Sequence, residues 1–300
     1  MTPADDRFFR LVRAFLLVYL PKQRCLSPHT VKAYRDALQL FRRFLQDEKH
    51  LPFSQVTFDH LDHHTVADFL EWLRTTRHCG ATTCNQRLAA LKAFAKYVAQ
   101  EDIALMAVYT EVSKVRAQRT ASAPISYLSE SALAALLAEP NQATPRGLRD
   151  QCLLVLLYDT GARIQELLHL RLGDVRWQES VPCVYLTGKG QKTRVVPLLP
   201  PTVQHLARYI ERFHSAPAKH DAALFYTIIK GHTSPLSADA VARFLQHYAQ
   251  RARERCSEIP PRVHPHLLRH TRAMHLYQAG VPLSYIKDFL GVDGIDLRLA

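Results

Sequence analysis

The sequence contains no Cys-x-x-Cys pair. Its six cysteines, Cys25, Cys79, Cys84, Cys152, Cys183 and Cys256, are scattered through 300 residues. Zinc sites need ligand pairs at short, fixed spacing. His78, Cys79 and Cys84 lie close together, but no second pair follows, so the reading is reduced thiols and no metal. Long apolar runs are missing too: segments such as residues 152–158 fall far short of the ~20 residues that cross a bilayer. The start of the chain lacks the basic, apolar, small-residue pattern of a secretory signal. There is no internal repeat or low-complexity tract, and ten glycines beside seventeen prolines do not make one. These absences leave a soluble intracellular protein, placed in the cytoplasm.

What is present is positive charge. Lys and Arg number 39 against 27 Asp and Glu, a net charge of +12. A cationic globular chain commonly meets a polyanion. Both halves carry the excess: residues 1–115 hold 16 cations against 12 anions, and residues 116–300 hold 23 against 15. Hydrophobic residues make up 47%, enough for real cores, and the length suits about two domains.

The first third reads as helices. Ser27 is a helix cap and Pro28 suits the first helical position. Val31, Tyr34, Leu38, Phe41, Phe44 and Leu45 then recur at spacings of three and four, one face of an amphipathic helix. A second helix runs through Val66, Phe69, Leu70 and Leu73. A third begins near Thr82 and carries Arg87, Lys92 and Lys96 beside Leu88, Leu91 and Phe94. Basic positions recurring on short helices suit phosphate contact. The pattern breaks around residues 112–124, where Lys114, Arg116 and Arg119 sit among small polar residues before Pro124. The expected division is a helical domain over residues 1–115, a basic linker over 116–127 and a second domain over 128–300.

The second domain mixes elements. Helices are expected at residues 148–159, 162–169, 202–214, 238–253, 265–279 and 284–290, with Ser129 capping another. Two β-like runs, residues 181–187 and 193–198, flank Gly188-Lys189-Gly190-Gln191 and make an antiparallel hairpin. The fold class is therefore mainly α with a small antiparallel β-hairpin or sheet in the C-terminal domain.

Three segments present cations in ordered settings. Arg163 follows the turn Thr160-Gly161 and is expected in the first turn of its helix, where it opposes the helix dipole unless an anion binds there; the plain alternative is a surface arginine paired with Glu166 or Asp159. Lys189, Lys192 and Arg194 crowd the hairpin tip and its outgoing strand, with a solvated turn as the alternative. His266 and Arg269 are three apart and share a helix face. An imidazole beside a guanidinium suits proton transfer at a phosphate, and a capping histidine with a surface arginine is the alternative.

In this order, the three segments closely resemble the tyrosine recombinase family, which includes phage integrases and Xer-type recombinases. Thr160-Gly161-Ala162-Arg163-Ile164-Gln165-Glu166-Leu167 looks like the family's first arginine box. Gly188-Lys189-Gly190-Gln191-Lys192-Thr193-Arg194-Val195-Val196-Pro197-Leu198 looks like the hairpin of the catalytic lysine, and His266-Leu267-Leu268-Arg269-His270-Thr271 like the His-x-x-Arg box. Residues 27–44 and 85–97 are similar to the family's core-binding, SAM-like helices, and the likeness spans residues 8–291. A general basic helical protein without this ancestry does not account for three boxes in order.

The resemblance implies a two-domain clamp around double-stranded DNA and phosphoryl transfer without metal or other cofactor. A tyrosine attacks the phosphodiester, leaving a 3′-phosphotyrosyl link and a free 5′-hydroxyl. Arg163 and Arg269 would hold the non-bridging oxygens, Lys189 would protonate the leaving oxygen, and His266 would assist proton movement at the tyrosine. Arg87, Lys92, Lys114, Arg116, Arg119, Lys192 and Arg194 are the expected DNA contacts. An active form would assemble as a homo-oligomer, a tetrameric synapse on DNA, associated with the nucleoid.

The match departs from the family in three places. Arg272 stands at a position the family keeps apolar or aromatic. Leu290-Gly291 is followed by Val292 in place of a histidine or tryptophan that contacts phosphate. Ile295 fits the register, but Asp296-Leu297-Arg298 replaces a Ser/Thr-rich turn. The nucleophile is expected just beyond Ala300, at about position 301, and Tyr277 and Tyr285 come too early to replace it. A frameshift near codon 291 would account for these losses together. Two readings follow: a site-specific recombinase completed by a continued reading frame or a partner's tyrosine, or an inactive DNA-binding remnant or regulator from a mobile element. The favoured expectation is an integrase-family product whose own 300 residues are catalytically incomplete.

Overall fold

The structure is a computed structural model that describes residues 3–120, 126–214, 220–229 and 231–292, without the side chains of residues 3–6 and Lys189. Pro124, Ile295 and the segment Asp296-Leu297-Arg298 lie outside the described residues. The chain divides into two compact units, Met1–Ser122 and Ala123–Ala300.

The first unit is helical. Helix α1, Pro3–Ala14, runs on into a wider π-helical stretch, Phe15–Gln23, that contains Pro21. Neither was read from the sequence. Helix α2, Pro28–Asp47, starts as expected: Ser27 Oγ accepts the Thr30 N–H, and Pro28 occupies the first turn, where its missing N–H costs nothing. Helix α3, His63–Thr75, is capped by Asp62, which accepts the Thr65 N–H at 2.9 Å. Helices α4, Ala81–Glu101, and α5, Met106–Lys114, complete the unit. Phe15, Phe41, Phe44, Phe69 and Phe94 are buried together, with Phe41 edge-on to Phe69 at 5.2 Å between ring centroids. The expected break at residue 112 comes later. Val112 is fully buried in the last turn of α5, above Val108 and Tyr109, which pack on the same core. The helix ends only at Lys114, and Val115 is extended.

The second unit opens with α6, Glu130–Leu137, capped by Ser129. Helix α7, Pro145–Thr160, is buried on nearly every side, its polar Arg149, Asp150 and Gln151 included; Leu153, Leu154, Leu156 and Leu157 are fully buried, as in a helix at the centre of a core. Helix α8, Ile164–Leu168, follows after one turn. Strands β1, Val175–Arg176, β2, Cys183–Thr187, and β3, Thr193–Pro197, form an antiparallel sheet in the order β1-β2-β3. Val184 pairs with Val196 and Thr187 with Thr193, closing the hairpin read from the sequence. Helix α9, Pro200–Phe213, precedes a second hairpin, β4, Tyr226–Ile229, with β5, His232–Pro235. Helices α10, Ala238–Arg253, α11, Pro265–Gln278, and α12, Leu283–Leu290, finish the described chain. The fold is mainly helical with small antiparallel sheets. Strand β1 and the β4–β5 hairpin were not anticipated: β1 is two residues long, and β4–β5 leaves Ile228 and Ile229 exposed, so no buried alternation marks it.

One turn organises the site. Gly161 ends α7 in the left-handed region at φ 56°, a conformation that disfavours a side chain. A Cβ there would meet Leu290 Cδ2 at 2.7 Å, so Gly161 also lets the end of α12 approach α7. The helix after it was expected from residue 162 but begins at Ile164. Arg163 is the capping residue, with extended backbone, rather than part of the first turn.

Candidate active site

Arg163 is placed by Glu166, three residues on. The Arg163 main-chain N–H donates to Glu166 Oε2 at 2.9 Å, and its Nη1 donates to Oε1 at 2.8 Å. Glu166 is 5% exposed, so its charge must be met by fixed donors. The third donor arrives from strand β3: Arg194 Nη2 donates to Glu166 Oε2 at 2.8 Å. Burial pushes the Glu166 carboxyl up, but the hydrogen bonds from Arg194 and Arg163 outweigh it and hold the group below its ordinary value. Of the two partners weighed for Arg163, the ion pair is with Glu166; Asp159 pairs with Arg272.

Arg269 comes from the first half of α11 and is 4% exposed. Its two terminal nitrogens donate to main-chain carbonyls, Nη1 to Gly161 at 2.7 Å and Nη2 to Leu290 at 2.8 Å. Arg194 Nε donates to the Phe289 carbonyl at 3.0 Å, and Arg163 Nη2 reaches the Gly291 carbonyl at 3.4 Å. Three arginines from three segments therefore cap the three carbonyls that close α12. Cations at a helix C-terminus meet the negative end of its dipole. Burial, then Arg163, pushes the Arg269 guanidinium down to about 10, still protonated at neutral pH. Three guanidiniums against one carboxylate leave the cluster at +2.

His266 lies one helical turn before Arg269, and its ring is 4.5 Å from that of His270. The residue is exposed. Desolvation comes first, then His270, Arg269, His264 and Arg163, and together they push the imidazole down to about 4. It is neutral at pH 7 and can accept a proton. His264 caps α11, its Nδ1 accepting the Leu267 N–H at 3.2 Å; the capping histidine is thus the neighbour of the candidate base.

The hairpin turn abuts the same carboxylate. A Cβ on Gly188 would meet Glu166 Oε1 at 3.0 Å, which brings the backbone just before Lys189 against the cluster. The side chain of Lys189 is outside the described residues. Lys192 is exposed at the hairpin exit, where its carbonyl accepts the Gly188 N–H at 2.9 Å. Arg194 points inward, its side chain 15% exposed.

The cations of the first unit are placed differently. Arg87 donates to the Ala33 carbonyl at 3.1 Å, joining α4 to α2, and Lys92 donates to the Ser113 carbonyl at 3.3 Å. Lys114 pairs with Glu111, and Arg116 and Arg119 are exposed after the end of α5. Arg272, marked in the sequence only as a departure, donates to Asp159 and lies over the rings of Tyr158 and Phe289, a pairing the sequence did not give. Val292 packs with Ala273, Ile286 and Leu290.

The chain matches the phage integrase family over residues 126–295 and the family's N-terminal SAM-like domain over residues 14–102. It is 31% identical to a tyrosine recombinase XerC of Syntrophus aciditrophicus, over 92% of this chain and 87% of that protein. It is 29% identical to a putative integrase/recombinase of Sinorhizobium fredii, over 95% and 84%. Among solved structures it resembles a lambda integrase tetramer bound to a Holliday junction, with a TM-score of 0.70 and 15% identity over 97% of this chain and 75% of that one. It also resembles the XerH site-specific recombinase in its pre-cleavage complex with difH, with a TM-score of 0.68 and 19% identity over 98% and 84%. With both family domains matched in order along the chain, and Arg163 of the first box and Arg194 of the hairpin paired with one buried carboxylate, this chain belongs to the phage integrase family of tyrosine recombinases.

Proposed function

We propose that the chain grips duplex DNA and holds one phosphate between Arg163 and Arg269, as a site-specific DNA strand transferase requires. The observation that carries this reading is the cluster at the end of α12, where three guanidiniums outweigh one carboxylate. Planar forked donors suit the non-bridging oxygens of a phosphodiester. Such donors, fixed before the reaction, stabilise charge that grows in the transition state. Lys189 gives the proton to the leaving 5′-oxygen, and His266, neutral at pH 7, takes the proton of the attacking tyrosine. The tyrosine oxygen replaces the 5′-oxygen on phosphorus, so the link itself keeps the energy for rejoining.

The last tyrosine of the sequence is Tyr285, and the nucleophile in this reading comes from outside residues 1–300. Val292 favours a second reading, DNA binding without chemistry. It packs in an apolar cluster where the family places a phosphate donor. Both readings put the protein on DNA, with the active form a homo-oligomer at the nucleoid. No described helix is long and apolar enough to cross a membrane.

A gel shift of duplex DNA across a salt series tests the shared part. Log affinity falls by about 0.9 per log unit of salt for each phosphate neutralised. Binding that is absent, or flat against salt, would overturn both readings.

A further inference from the structure

Arg194 sits in the basic hairpin, yet its side chain is turned away from solvent. Its Nη2 donates to Glu166 and its Nε to the Phe289 carbonyl. Its guanidinium lies against Gly291, where an added Cβ would meet Arg194 Cδ at 3.1 Å and Nη1 at 3.2 Å. One flat group therefore touches the carboxylate that orients Arg163 and the last turn of α12. Glu166 by itself would cancel Arg163, because it accepts both the main-chain N–H and the side chain of that residue. A second cation on the same carboxylate removes that cancellation.

We infer that Arg194 is a positioning residue and not a DNA contact: it balances Glu166, so that Arg163 keeps its charge for a phosphate, and it pins the end of α12 beside the same site. The inference rests on the phosphate reading above for its ligand but not for its geometry. Lysine restores the charge but not the span. An ammonium is a single point donor and cannot hold Glu166 and the Phe289 carbonyl with the planar fork of a guanidinium.

The test uses the full chain with Arg194→Lys and Arg194→Ala and three readings. The first is amide exchange of residues 287–292, expected to quicken about tenfold in both variants, since a local opening is no longer held shut. The second is inorganic phosphate titrated against the His266 and arginine Nε–H NMR signals. Affinity is expected to fall about tenfold in the alanine variant and to recover most of that in the lysine variant, because charge is what phosphate reads. The third is the salt slope of duplex binding, expected to stay within half of the ~0.9 that one phosphate contact contributes. A slope that drops by the full increment in the alanine variant overturns the inference and makes Arg194 a DNA contact. Unchanged exchange, or an alanine variant with undiminished phosphate affinity, overturns it as well. If the unmodified chain shows no salt-dependent DNA binding, the phosphate reading fails, and the exchange result decides the geometry of Arg194 separately.

Discussion

Arg272 donates from Nη2 to Asp159 Oδ1 at 3.2 Å, while the other carboxylate oxygen accepts the Leu199 N–H at 2.9 Å. Both side chains are withdrawn, 15% and 2% exposed. The guanidinium also lies 5.3 Å from the Tyr158 ring centre and 5.8 Å from that of Phe289. The departure at position 272 is thus an ion pair built into the packing of α7, α11 and α12. Arg272→Ala strands a buried carboxylate and is expected to cost about 3–5 kcal/mol in chemical denaturation. Arg272→Met combined with Asp159→Asn removes both charges and should recover most of that loss. A cost below ~1 kcal/mol for the single variant would mean the pair contributes little.

The histidines of α11 give a dependence on acid. His266 is pushed down to about 4, and His270 lies below its ordinary value, by burial first and then Arg269 and His264. A group with a depressed folded value contributes stability above its unfolded value and loses it as pH falls through the folded one. For His266 the window runs from the ordinary 6.5 down to about 4. Stability should fall across it, and His266→Gln should flatten part of that fall. In an NMR titration the His266 signal should move well below pH 6.5 and shift upward when phosphate is added, because an anion favours the imidazolium. A midpoint at the ordinary value in the free protein would contradict the crowded site.

Lys189 and Lys192 separate chemistry from binding. In a chain carrying a tyrosine beyond position 300, Lys189→Ala should leave the gel shift nearly unchanged while strand cleavage drops by about 100-fold, the scale of lost proton transfer. Lys192→Ala is the control. If it lowers cleavage more than Lys189→Ala does, the wrong lysine carries the proton.

Much of the fold was legible because local chemistry and global fold agree. Helix α10 matches the expected residues 238–253, since Ser237 caps it and Val241, Phe244, Leu245 and Tyr248 line its buried face. Ser27, Pro28 and Ser129 marked helix starts for the same local reason. The direction of Arg194 was available but unused: it lies two residues before buried Val196, so strand alternation puts both on the inward face. Arg87 is another matter. Its bond to the Ala33 carbonyl spans 54 residues of sequence, and a cation joining two helices reads like one facing solvent until the helices are packed. The early helix α5 was hidden by the basic residues that follow it, although Val108 and Val112 keep the helical spacing.

A polypeptide of residues 1–300 is expected to form no covalent adduct on a nicked suicide duplex in a denaturing gel. A nucleophile must lie in line with phosphorus, and ~1 Å of misplacement can cost about 100-fold. Tyr277 and Tyr285 are 47% and 68% exposed. An adduct mapped by peptide analysis to either would show that an earlier tyrosine attacks. If DNA downstream of codon 291 encodes, in another frame, a histidine and a tyrosine at the family's spacing, the restored chain should form the adduct.

The cluster around Glu166 stands or falls on what Arg163 does with DNA. Arg163 is the most exposed of the three arginines, its side chain 39% open, so Arg163→Gln should leave the fold intact. The measurement is duplex affinity as a function of salt, for the unmodified chain and for Arg163→Gln. If Arg163 holds a phosphate, the variant loses about one counterion, and its log–log slope is shallower by ~0.9. An unchanged slope, in a variant with unchanged thermal stability, would show that the arginines gather around Glu166 for the fold alone and that DNA is held elsewhere.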